Sequence, residues 1–115
     1  MASVTLLHNP RCSKSRQALA LLEGAGVDVD VRRYLDAPLS RAELKALGDK
    51  LGGSVLGWTR VKEGAFKEAG LTREAGDAEL LDAMAAHPIL MERPVAILGA
   101  RAVVARPPER VHDLL

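Results

Sequence analysis

A chain of 115 residues with one cysteine and a formal net charge of +1 is long enough for one compact domain with a sizeable core, and it cannot close a disulfide within itself. The near-neutral charge argues against a dedicated nucleic-acid module, and Tyr34, Trp58 and Phe66 are too few and too scattered for a base-stacking platform. The apolar runs fall far short of a bilayer span, and Met1-Ala2-Ser3 enters a short apolar run without the basic segment of a signal peptide. The expectation is a single soluble domain over residues 1–115, cytoplasmic and monomeric, with no nucleic-acid or membrane partner.

Val4-Thr5-Leu6-Leu7 is a β-leaning apolar run that ends at Asn9-Pro10, and it predicts a buried strand. Residues 13–25 follow with Ala18, Leu19, Leu21, Leu22 and Ala25 at helical spacing, closed by Gly26. Val27, Val29 and Val31 alternate with charged residues, the period of a half-buried strand, and a crossover of this length implies parallel pairing. Ser40-Arg41-Ala42-Glu43 has capping-box spacing and opens a helix carrying Leu44, Leu47 and Leu51, stopped by Gly52-Gly53. Shorter helices are expected over Lys62–Ala69 and from Asp77 to before Pro88, the latter with Leu80, Leu81 and Met84 inward. Val95–Leu98 and Arg101–Ala105 flank Gly99-Ala100 as a hairpin, and Pro107 begins a last short helix through Val111 and Leu114. The order is β-α-β, helices, then β-β-α. This predicts an α/β chain of thioredoxin-like fold, with a small mixed β-sheet flanked by helices and a helical insertion in its middle.

The stretch "HNPRCSKSR" sets the lone Cys12 between the first strand and the first helix. If the helix begins at Ser13, the unpaired amides and the positive end of its dipole favour a thiolate, and the same amides suit an oxyanion. Lys14 and Arg16 add positive charge, Ser13 and Ser15 offer donors, and His8 is a candidate hydrogen-bond donor or proton carrier. A solitary cysteine is also commonly a small buried hydrophobe, and basic residues in a first helical turn are commonly solvated charges. Here they oppose the helix dipole, a local misfit that an anionic neighbour would relieve.

"HNPRCSKSRQALALLEGAGV" resembles the active-site segment of glutaredoxin-coupled arsenate reductases, with Asn-Pro-x-Cys followed closely by Ser-Arg. "YLDAPLSRAELKALGDKLG", "LGWTRVKEGAFKEAGL" and "LLDAMAAHPILMERPVAILGARAVVARPPERV" are similar, in order, to later segments of the same family, so the resemblance spans nearly the whole chain. It implies a nucleophilic thiol at Cys12. It further implies oxyanion-binding arginines at Arg60, Arg93 and Arg106, and His8 and Ser15 beside the thiol to keep it ionised. Pro94 matches a proline held in cis next to the site. Glutathione would be the co-substrate and glutaredoxin the protein partner, with arsenate or a similar oxyanion as substrate and no bound cofactor or metal. Arg101, His87 and His112 are assigned to solvent or to structural positions. Ser13-Lys14 stands where dedicated resistance enzymes typically carry Gly-Thr, which leaves the natural anion open.

Two other readings share the fold. Spx-type regulators bind RNA polymerase and many carry a Cys-x-x-Cys switch, but Ser15 occupies the position of the second cysteine here. A glutathione-linked thiol reductase of another substrate would need Cys12 but not all three arginines.

Overall fold

The computed structural model describes residues 3–115, so Met1 and Ala2, on which part of the signal-peptide reading rests, lie outside the described residues. The chain divides into two compact units, one comprising the residues up to Ala37 together with Arg93–Leu115, the other Pro38–Glu92.

The first unit carries the sheet. Strands β1 (Ser3–Leu7), β2 (Asp28–Arg32), β3 (Val95–Leu98) and β4 (Arg101–Val104) lie in the order β2-β1-β3-β4. β1 is parallel to β2 and antiparallel to β3, and β3 and β4 form an antiparallel hairpin. Helix α1 (Ser13–Gly24) makes the crossover between β1 and β2, and a 3-10 helix over Pro108–Leu114 closes the chain. Val4 and Leu6 of β1, Ala96 of β3 and Val103 of β4 meet Ala18 and Leu22 of α1 and Val111 and Leu114 of the 3-10 helix in one apolar cluster. Burying a Leu or Val of this kind is worth about 1.5–3 kcal/mol, so this layer fixes α1 on the sheet. This is the thioredoxin-like mixed sheet expected from the order of elements.

The second unit holds α2 (Arg41–Leu51), α3 (Gly64–Glu68) and α4 (Asp77–Ala86), with 3-10 turns over Val55–Trp58 and Pro88–Leu90. Leu44 and Leu47 of α2 and Leu80, Leu81 and Met84 of α4 are buried as their spacing predicts. Trp58 is 2% exposed, and its ring lies so close to Gly48 that a Cβ there would come within 3.3 Å of it. Gly52 takes φ +74° where α2 stops, a left-handed backbone that favours glycine. Thr59 pairs with Met91, and Arg60 N donates to Leu90 O at 2.7 Å.

Four boundaries or exposures differ from expectation. The Lys62–Ala69 helix is the single turn of α3, entered through Glu63. The C-terminal helix starts one residue past Pro107 and is 3-10. β4 ends at Val104: Ala105 N still donates to Pro94 O at 2.9 Å in the hairpin register, but Pro94 has no N–H to return a bond. Val31 is 42% exposed, since β2 is the outermost strand of the sheet and has only β1 beside it among the described residues.

Candidate active site

Cys12 is the N-cap residue of α1, with extended backbone at φ −95° and ψ 122°. No side chain caps the helix, and its first turn holds no acidic residue. The half-buried thiol receives hydrogen bonds from the backbone amides of Ser15 and Lys14 and from the Arg93 side chain. Burial pushes the thiol pKa up, but the two amides and then the Arg93 charge and hydrogen bond outweigh it, and the pKa lies below its ordinary value. The loop before it is braced from within. Asn9 O accepts from Cys12 N at 3.0 Å, Asn9 Oδ1 accepts from Arg11 N at 3.0 Å, and Arg16 Nη1 donates to Pro10 O at 2.8 Å.

His8 and Ser15 are buried, and His8 Nδ1 and Ser15 Oγ are 2.6 Å apart. Asn9 N also donates to Ser15 Oγ, at 3.0 Å. Ser15 thus meets the thiol through its amide and His8 through its hydroxyl. Burial, followed by the charges of Arg33 and Arg16, holds the His8 pKa below its ordinary value and so favours the neutral ring.

The Arg93–Pro94 and Arg106–Pro107 peptides are both cis. Arg93 Nε is buried without a hydrogen-bond partner, a guanidinium donor held next to the thiol. Arg106 Nη1 donates to Arg93 O at 3.1 Å, tying the two arginine-bearing segments of the first unit together.

Arg60 belongs to the second unit. Its Nη2 lies 3.0 Å from Glu63 Oε2, its Nε 3.9 Å from Glu92 Oε1, and its Nη1 donates to Ile89 O at 3.3 Å. Among the described residues no cluster of His, Cys, Asp and Glu is placed to hold a metal ion, and no helix is long and apolar enough to cross a membrane.

The ArsC family model matches residues 7–114. The chain belongs to the ArsC family. An ArsC relative named arsenate reductase, from Neisseria meningitidis serogroup B, is 45% identical over 117 residues and spans 100% of both chains. Another of that name, from Rhizobium meliloti, is 47% identical over 98% of this chain and 81% of its own. Among solved structures, the arsenate reductase from Vibrio cholerae matches with a TM-score of 0.94 and 43% identity, covering 99% of this chain and 98% of that one.

Within this ArsC chain the first unit brings together Cys12, His8, Ser15, Arg93, Arg106 and Pro94, while Arg60 sits among the carboxylates of the second. His87 and His112 are exposed. Arg101 is exposed as a residue, yet its Nη2 donates to Leu114 O at 2.7 Å and ties the hairpin to the C-terminal 3-10 helix. Sequence reasoning missed the carboxylates around Arg60. The three-residue spacing of Arg60 and Glu63 was a visible signal for one of them, whereas Glu92 is remote in sequence.

Proposed function

We propose that this protein reduces arsenate, or a closely similar oxyanion, using the Cys12 thiolate as nucleophile, Arg60, Arg93 and Arg106 as oxyanion ligands, and glutathione and glutaredoxin as reductants. The observation that carries this reading is the thiol at an uncapped helix start, bonded by two amides and Arg93, with the buried Nε of the same Arg93 left without a hydrogen-bond partner. A guanidinium fork suits a tetrahedral oxyanion, and the amides that stabilise the thiolate also suit the charge that builds on substrate oxygens.

The thiolate attacks arsenic, an S–As bond forms, and one arsenate oxygen leaves as water after protonation. The arginines offset the oxyanion charge while this bond forms. A glutathione thiolate then attacks Cys12 sulfur. An S–S bond forms, the S–As bond breaks with its electron pair on arsenic, and arsenic(V) departs as arsenite, arsenic(III). A glutaredoxin thiolate attacks the glutathione sulfur of the mixed disulfide and frees the Cys12 thiolate. Two electrons pass from two external thiols to arsenic, so one cysteine suffices. On this reading the protein works as a monomer in the reducing cytoplasm, where the glutathione pool keeps Cys12 reduced.

The test is a coupled assay with arsenate, glutathione, glutaredoxin, glutathione reductase and NADPH. NADPH oxidation that requires both arsenate and this protein is expected. Oxidation independent of arsenate would move the protein to general thiol–disulfide exchange.

A further inference from the structure

All three guanidinium nitrogens of Arg60 face acceptors. Carboxylates take its Nη2 and Nε, at 3.0 and 3.9 Å, and a carbonyl takes Nη1 at 3.3 Å. The arrangement is fixed by backbone. The extended segment bearing Arg60 pairs with that bearing Glu92, through the Thr59–Met91 bridge and Arg60 N to Leu90 O, and Glu92 N donates to Trp58 O at 3.0 Å. Glu63 N donates to Arg60 O at 3.1 Å, which turns the Glu63 side chain back toward the guanidinium. Glu63 is the N-cap residue of α3, but its carboxylate makes no cap; it goes to Arg60 instead.

The three side chains are only 20%, 26% and 27% exposed, so solvent screens them incompletely. They line an open cavity of about 310 Å³, together with Thr59 and Lys62. Two basic and two acidic residues line it, and its formal charge is zero. A cavity so balanced attracts an oxyanion no more than it repels one, unless a carboxylate is exchanged for it.

We infer that Glu63 and Glu92 are positioning residues for Arg60, which aim its guanidinium and cancel its charge, and that an oxyanion binds Arg60 by taking the place of the Glu63 carboxylate. The inference rests on the reading of Arg60 as an oxyanion ligand. Glu63 is the carboxylate exchanged, because its Oε2 lies 3.0 Å from the Nη2 donor, whereas Glu92 Oε1 lies 3.9 Å from Nε. The exchange makes the site selective. Only an anion that bonds a guanidinium better than a carboxylate does can enter, which favours tetrahedral oxyanions with several charged oxygens over halide or monocarboxylate.

The experiment measures KM and kcat for arsenate in the coupled assay for the wild type, Glu63→Gln, Glu63→Asp, Glu92→Gln and Arg60→Ala. Calorimetric arsenate binding to the same variants carrying Cys12→Ser runs in parallel. Glu63→Gln lowers KM roughly threefold and tightens binding by the same factor, the size of a partly exposed ion pair, with the change in KM rather than kcat. Glu92→Gln does less, Glu63→Asp keeps the charge on a shorter side chain and lowers KM less than Glu63→Gln does, and Arg60→Ala raises KM. A Glu63→Gln protein with unchanged or raised KM, beside an Arg60→Ala protein with raised KM, overturns the exchange and leaves Arg60 as an oxyanion ligand. Arg60→Ala without effect on KM or binding overturns both. Absent turnover with the binding order intact strikes the reduction chemistry and upholds the exchange.

Discussion

Two helices of this chain begin in opposite ways. At the start of α2, Ser40 Oγ accepts from Glu43 N at 3.1 Å and Glu43 Oε1 accepts from Ser40 N at 2.9 Å, so the segment satisfies its own amides and sets a negative charge at the positive end of the dipole. At the start of α1 the N-cap side chain is a thiol that caps nothing, no acid lies in the first turn, and Lys14 and Arg16 stand where they oppose the dipole. The start of α2 is built for stability. The start of α1 gives up those local gains, and its amides serve the Cys12 sulfur instead. A first turn that is poor by helix criteria therefore marks amides committed to something other than the helix.

The largest effect that would break this contrast is at the thiol itself. Cys12→Ser should bring arsenate-dependent NADPH oxidation down to the uncatalysed background, while circular dichroism stays that of the parent; retained turnover would remove the functional half of the comparison.

Next comes Arg93. Losing a hydrogen bond to a charged group costs about 1.5–3 kcal/mol, so Arg93→Ala should lower kcat/KM roughly tenfold or more. It should also move the pH dependence in a definite direction. The thiol pKa lies below its ordinary value in the native protein, so reactivity rises with pH through that lowered pKa and then levels off. Without Arg93 the rise shifts to higher pH, read from iodoacetamide alkylation rates across a pH series. An unmoved rise would mean that the amides alone set the thiol.

At α2 the expected cost is structural. Ser40→Ala should destabilise by about 1 kcal/mol, measured as a shift in denaturant midpoint, with kcat/KM unchanged. The smallest effect sharpens the comparison most. Lys14→Glu places an acid in the first turn of α1 and should stabilise the protein by a few tenths of a kcal/mol while slowing thiol alkylation at neutral pH. A gain in stability with no loss of thiol reactivity would separate the dipole from the chemistry.

What could be read from the sequence follows from how local each signal is. The Val4–Leu7 run, the Ser40–Glu43 box, the α4 stripe and the Gly99 turn each report on a few neighbouring residues, and the structure has each of them. Strand order is not local. The alternation at Val29 and Val31 announces a half-buried strand but not that it is an outermost one, and the exposure of Val31 follows from that. The 3-10 turns at Val55–Trp58 and Pro88–Leu90 are too short to carry a period of their own. The site divides in the same way. Cys12 at a helix start was legible from spacing, because the amides that bond it belong to the residues just after it. That Ser15 would turn its hydroxyl to His8, that Arg106 would hold the Arg93 carbonyl, and that Glu92 would face Arg60 are pairings made by the fold.

The burial of Trp58 against Gly48 has a practical side. Trp58 is the only tryptophan of the chain and lies in the Pro38–Glu92 unit, and Cys12 is the only thiol and lies in the other. Tryptophan fluorescence, excited apart from that of Tyr34, therefore reports on one unit and alkylation on the other, without a single engineered probe. Unfolding curves recorded by the two signals on one sample would coincide if the units melt as one cooperative body and separate if they do not.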